Sequence, residues 1–254
     1  MNVDMPIADL IAILLGAART GAWMMLAPPF NSRLLPGTVK ALLSIGLTLP
    51  LAPYLRSTVP SLRTADIIAS AALQVFVGAS LGFLTYLLFA ALQAAGDMLD
   101  LFGGFTLAMG YDPLSLNQSS VFGRFYNLVA VTILFASDGH QVILRGFLQS
   151  FRTMPLNLTF NVGTFSQLLL KGFGEMFIAA LQIAGPLVAV LFLTDIAFGL
   201  LNRVAPALNA FQLGFPAKIL LVLLLSGLAI TTLPQVVEKI VDEGVTAVIK
   251  VSGG

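Results

Sequence analysis

The stretch that decides the fold runs from Ile67 to Gly96 and reads IIASAALQVFVGASLGFLTYLLFAALQAAG. It contains no charged side chain. A helix needs about 20 mostly apolar residues to cross ~30 Å of hydrocarbon, so this run predicts a membrane-spanning helix. Working outward, charges vanish in five further places. Ile7–Pro28 is apolar except for Asp9 and Arg19, and Val39–Leu55 is apolar after Lys40. Phe125–Ser137 is uncharged and extends weakly to Leu148, and Met176–Thr194 and Ile219–Val237 are uncharged throughout. About six apolar helical segments are therefore expected, and the loops between them are too short for a separate soluble domain.

Composition agrees. Of 254 residues 57% are apolar and 10% charged, and the mean hydropathy is +0.95. A soluble globular chain is nearer 45–50% apolar and about 25% charged, so too few charges are present to coat a water-facing surface. The fold class expected is all-α, a polytopic integral membrane protein. Thirteen basic and twelve acidic residues leave a net charge of +1, with no clustered basic face for nucleic acid. The absence of cysteine excludes disulfides, thiolate metal sites and cysteine nucleophiles, and one histidine (His140) makes a usual zinc site improbable. No cofactor or metal is expected. The start, Met1–Asp9, has two aspartates and no basic residue, unlike the basic n-region of a cleaved signal peptide. Basic residues do not sort between alternate loops, so the positive-inside rule is nearly silent. Pro28, Pro29, Pro50, Pro53, Pro186, Pro206, Pro216 and Pro234 lie in or beside the apolar runs and are each expected to break or kink a helix. Broken backbone in lipid must be covered by protein or line a water-filled cavity.

Several features carry candidate functions. Gly78 and Gly82 form a GxxxG step, where another helix backbone can approach, from this chain or from another subunit. Arg19 lies deep in the first segment and must pair or face water. Asp97 and Asp100 share a helix face and either suit a coupling cation or proton or end a span at the interface. Asp138-Gly139-His140 is a polar break that reads as a helix end or a proton relay. No combination of side chains makes a catalytic constellation, so no enzyme is expected. From Leu101 to Arg124, Gly103, Gly104 and Gly110 permit sharp bends, while Phe105, Leu107, Met109 and Tyr111 are apolar. Such a loop suits a plug closing a pore by hydrophobic contact or a re-entrant segment with a packing role. A faint echo, at differing spacings and with Phe30 and Asn31 swapped, relates Arg19, Pro29, Phe30, Asn31, Pro36 and Lys40 to Arg203, Pro206, Asn209, Phe211, Pro216 and Lys218. It keeps open an alternative, a secondary transporter of a small anionic solute built on broken helices and using Arg19 and Arg203.

The order of motifs resembles the FliR family of flagellar export-apparatus proteins and, more distantly, the matching subunit of virulence type III secretion systems. The resemblance runs from about Leu10 to Val237. Its blocks are Ala18-Arg19 with Pro28-Pro29-Phe30, Leu35-Pro36 and Val39-Lys40; Gly78–Phe83 with Ala95-Gly96-Asp97; Gly103-Gly104 through Asp112-Pro113; Asp138-Gly139-His140 leading to Ser150-Phe151 and Pro155; and Arg203 to Lys218, which contains Pro206, Asn209, Phe211, Gly214 and Pro216. One position departs: the family often has glutamate where this chain has Gln74, which puts a role through charge there in doubt and leaves one through hydrogen bonding. The resemblance implies a non-enzymatic subunit of the flagellar type III protein-export gate, in the bacterial inner membrane at the flagellar basal body. It implies one copy in a hetero-oligomer with FliP and FliQ, with FlhB and FlhA nearby, passing unfolded exported proteins through a pore. It also implies a FliP-like part over roughly residues 1–170, a FliQ-like hairpin and tail over roughly 171–254, and a pore plug over 103–119. The plug would comprise Gly103, Gly104, Phe105, Leu107, Met109, Gly110, Tyr111, Asp112 and Pro113. Helix packing or subunit contact is expected at Gly78, Gly82, Arg19, Arg203, Pro206, Asn209, Phe211, Gly214 and Pro216.

Overall fold

A computed structural model describes residues 7–61, 63–106, 120–157, 162–206, 210–231 and 233–239. Among these the regular structure is entirely helical: α1 (Ile7–Leu26), α2 (Gly37–Thr48), α3 (Ala52–Leu55), α4 (Thr64–Gly103), α5 (Val121–Ala136), α6 (Gly139–Thr153), α7 (Val162–Val204) and α8 (Ala210–Ile230), with two 3-10 turns flanking α3. Residues 233–239 are helical as well. Among the described residues four helices are long and apolar enough to cross a membrane, or five if α5 and α6 count as one broken span. The six apolar runs fall on α1, on α2 with α3, on α4, on α5, on α7, and on α8 with the helical residues after it. The last run, Ile219–Val237, is displaced in the structure: the apolar part of α8 spans Gln212–Gly227, and residues 233–239 are a separate helical stretch.

The prolines act less uniformly than expected. Pro28 and Pro29 sit in the turn after α1, and Pro50 and Pro53 start short turns. Pro186 and Pro216 instead lie inside uninterrupted helices. One missing hydrogen bond in a long apolar helix leaves the others intact, and outside water the chain has no better partner for the remaining groups. Pro234 opens a helical turn, where its missing N–H is not needed.

The chain divides into two compact units. The first comprises residues 1–88, 138–172 and 240–254, and the second 89–137 and 173–239. In the first unit α1 is central. The small residues Gly16, Thr20 and Gly21 receive Thr48, Leu55 and Ser44 from α2 and α3. Arg19 and Trp23 face α4, where a Cβ on Gly78 would overlap the Arg19 carbonyl and one on Gly82 would lie 2.8 Å from the Trp23 oxygen. The GxxxG step is therefore occupied within the chain, and α1 and α4 run parallel. In the second unit Gly96 admits the backbone of Phe122 and Gly123, so α5 starts against the last turns of α4. Gly103 abuts Val222 of α8, and Lys218 forms an ion pair with Asp195 of α7.

Candidate functional site

In the first unit, Arg19 is the largest buried polar side chain and has no exposed surface. Its Nε donates to Gln74 Oε1 at 2.7 Å, its Nη1 to the Ser150 carbonyl at 3.3 Å and its Nη2 to the Met154 carbonyl at 2.8 Å. The guanidinium also lies over the Phe151 ring, 4.5 Å from its centroid. The last carbonyls of a helix lack intrahelical partners and carry partial negative charge, so Arg19 satisfies the C-terminus of α6. Gln74 has no exposed surface and completes the node, its Nε2 donating to the Leu156 carbonyl at 3.1 Å. The Leu156 amide in turn donates to Thr58 Oγ1. Trp23 stacks on Phe147 of α6 at 4.4 Å and packs on Phe30 at 5.3 Å. This node binds α1, α4, α6 and the segment after α6 without any acidic residue. An amide at position 74 both accepts from Arg19 and donates to Leu156, whereas an ionised carboxylate only accepts.

In the second unit, Asp100 is 1% exposed. Its Oδ2 accepts from the Ser120 hydroxyl and from the Phe122 amide at 3.0 Å. Ser120 Oγ accepts from the Gly123 amide at 2.8 Å, which caps the start of α5. Asp97, one turn earlier, is exposed, so the two carboxylates stand in unlike surroundings. Gly104 adopts φ 85° beside the Phe215 ring, and Phe105 meets Phe122 edge-on at 5.2 Å. Phe105 and Phe122 therefore bring together the chain before and after residues 107–119.

Of the proposed plug, Gly103, Gly104 and Phe105 belong to this junction; Leu107, Met109, Gly110, Tyr111, Asp112 and Pro113 lie outside the described residues. In the Arg203–Lys218 block, Arg203 and Pro206 are exposed at the end of α7, Gly214 is buried where an added Cβ would meet the Phe198 ring at 3.4 Å, and Pro216 is exposed inside α8. Asn209 lies outside the described residues, as does the side chain of Phe211. Asp138 takes a left-handed conformation at φ 56° where α6 begins, and its carboxylate accepts from Gln141 Nε2. Sequence reasoning missed Ser120, Met154 and Leu156 and named Ser150 only as part of a motif. Ser150, Met154 and Leu156 act through backbone carbonyls, which leave no residue-type signal. Among the described residues no group of three or more His, Asp or Glu side chains is arranged to hold a metal.

The helices define a class, an all-α polytopic membrane protein whose buried polar groups serve to join helices. A model of the family described as bacterial export proteins, family 1, matches residues 10–244, and the chain belongs to that family. It is similar to the flagellar biosynthetic protein FliR of Bacillus subtilis, 34% identical over 82% of each chain. It is also similar to that of Pectobacterium carotovorum, 32% identical over 85% of this chain and 83% of the relative, and that of Escherichia coli, 31% identical over 78% and 76%.

Proposed function

We propose that the chain is a structural subunit of the flagellar type III protein-export gate in the bacterial inner membrane, at the flagellar basal body. It acts as one copy in a hetero-oligomer with FliP and FliQ, with FlhB and FlhA nearby, and lines part of the pore for unfolded exported proteins. Roughly residues 1–170 correspond to a FliP-like part and 171–254 to a FliQ-like hairpin.

The observation that carries the assembly is the length of α7 set against its burial. The stretch Leu169–Val204 is 36 residues long, and only 17% of its most apolar window is buried within the chain. At ~1.5 Å per residue it extends ~54 Å, well beyond ~30 Å of hydrocarbon. Apolar surface outside lipid must be covered by protein, so neighbouring subunits are required. Native mass spectrometry of the gently solubilised complex, co-expressed with its neighbours, tests this. One copy of the chain in a large hetero-oligomer is expected; a lone monomer or symmetric homodimer would overturn it.

Residues 103–119 act as the plug in this reading. The junction of Asp100, Ser120, Phe105 and Phe122 supports it, because a plug must be mounted at a fixed point. Deleting 103–119 is expected to make the closed gate leak small ions, and an ion-tight deletion mutant would sink the idea. The transporter alternative asks Arg19 to receive an anion, yet all three of its nitrogens already donate to groups within the protein.

A further inference from the structure

Helix α6 has two unlike faces. Ile143, Gly146, Phe147, Ser150 and Phe151 are buried, while Gln141, Arg145, Gln149 and Arg152 are exposed on the other side. The helix contains two arginines and no acid. Its position makes this face significant. Arg19 meets Ser150 and Phe151, and Trp23 meets Phe147. Four residues forward along α1 thus match four residues back along α6. The helices lie side by side, antiparallel, along the C-terminal half of α1: Arg152 stands level with Arg19, and Arg145 with the last turn of α1.

Helix α1 is one of the candidate spans. If lipid surrounded it on the α6 side, Arg152 would project into hydrocarbon near the middle of the span, where a charge is costly. A helix serving lipid headgroups alone would stay at the end of a span and would not carry an arginine to the level of its middle. We propose that the exposed face of α6, with Arg145 and Arg152 about two turns apart, is a lipid-excluded docking surface for an acid-bearing protein segment of a neighbouring subunit. Lipid exclusion follows from the geometry of this chain alone; the partner rests on the assembly reading above. Uncompensated arginines flanked by amide side chains fit carboxylates, which guanidinium binds in a two-pronged geometry.

The chain has no cysteine, so single cysteines at Gln149, level with the middle of the span, and at Gln141, beyond the end of α1, can be probed with a water-soluble maleimide in opened membrane vesicles. Leu14, exposed on the apolar face of α1, is the control. With the chain expressed alone, the α6 cysteines are expected to label and the Leu14 cysteine not. Co-expression with the neighbouring subunits is expected to lower α6 labelling at least tenfold. Unlabelled α6 cysteines in the lone chain would overturn lipid exclusion, and equal labelling in both states would overturn the partner.

Charge reversal by Arg145→Glu with Arg152→Glu is expected to cut the yield of assembled complex at least about tenfold, since like charges across an interface cost several kcal/mol. Thermal melting of the lone chain should not change. If that double variant melts early, Arg145→Gln with Arg152→Gln decides, with an expected loss of about threefold or more. Unchanged yield from both would overturn the acidic partner while leaving assembly intact. A wild-type chain that forms no complex would overturn the assembly reading instead.

Discussion

Helices α4 and α7 are the two longest in the protein, at 40 and 43 residues, and both are strongly apolar. Within the chain their fates differ: 56% of the most apolar window of α4 is buried, against 17% for that of α7. The difference lies in the glycines. Gly78, Gly82 and Gly96 of α4 each meet the backbone of another helix, and a Cβ at any of them would collide with it. Gly174, Gly185 and Gly199 of α7 meet nothing within 4 Å. Glycine in a helix interior costs about 1 kcal/mol relative to alanine, and in α4 close backbone packing offsets that cost. In α7 Gly172 meets the side chains of Leu84 and Leu87, and for Gly174, Gly185 and Gly199 the offset must come from outside the chain. Apolar content thus measures how much surface a helix must hide, and glycine position indicates where a backbone comes close.

The comparison breaks most sharply at Gly78. Gly78→Val would drive a branched side chain into the Arg19 carbonyl, and the lone chain is expected not to accumulate in a folded form, as read by protease resistance in membranes. Gly185→Val should leave that resistance unchanged and act only on assembly. Equal damage from both would show that α4 and α7 are packed alike.

Next in size is Arg19→Met. It leaves the Met154 carbonyl and Gln74 Oε1 short of a donor, while the Ser150 carbonyl keeps the Met154 amide, at about 1–3 kcal/mol for each buried group left unsatisfied. A total loss of about 3 kcal/mol is expected in the melting of the purified chain, with Arg19→Lys recovering part of it.

In the second unit, Asp100→Ala removes the acceptor for Ser120 and Phe122, and about 2 kcal/mol should be lost. The change should be local, read as faster hydrogen exchange at the Phe122 amide. Asp100→Asn, which keeps an accepting oxygen, should restore most of the protection.

Gln74→Glu is expected to cost about 1 kcal/mol, because the donor to Leu156 is lost while the contact with Arg19 gains charge assistance. Gln74→Leu loses both bonds and should cost more. If the two variants melted together, hydrogen bonding at position 74 would contribute nothing. The smallest effect runs the other way: Gly185→Ala should stabilise the lone chain by a few tenths to about 1 kcal/mol, since no neighbour in the chain resists the added methyl.

Arg19 illustrates how much was legible. A lone guanidinium in an apolar run announces that it needs partners, and the sequence carried that requirement plainly. It did not reveal that two of the partners are carbonyls 131 and 135 residues further along, because every residue but its side chain looks alike to a carbonyl search. Asp97 and Asp100 show the same limit. Their spacing places them on one helix face, yet one is buried under Ser120 and Phe122 while the other is exposed. The prolines show the converse: Pro186 and Pro216 are strong local signals that long apolar helices override.

Hydropathy and charge spacing along the chain determined by themselves that this protein is helical, apolar and suited to a membrane, because a span must satisfy its backbone internally and exclude charge over a fixed length. The order of the motifs determined its family. Only the tertiary structure decided which glycines are contacts and which are bare, which acid is a helix tether, and that Arg19 holds the end of α6. It also decided that α6 runs beside the C-terminal half of α1. Those outcomes depend on which distant segments meet, and the energy of a meeting belongs to the pair of surfaces, not to either stretch of sequence alone.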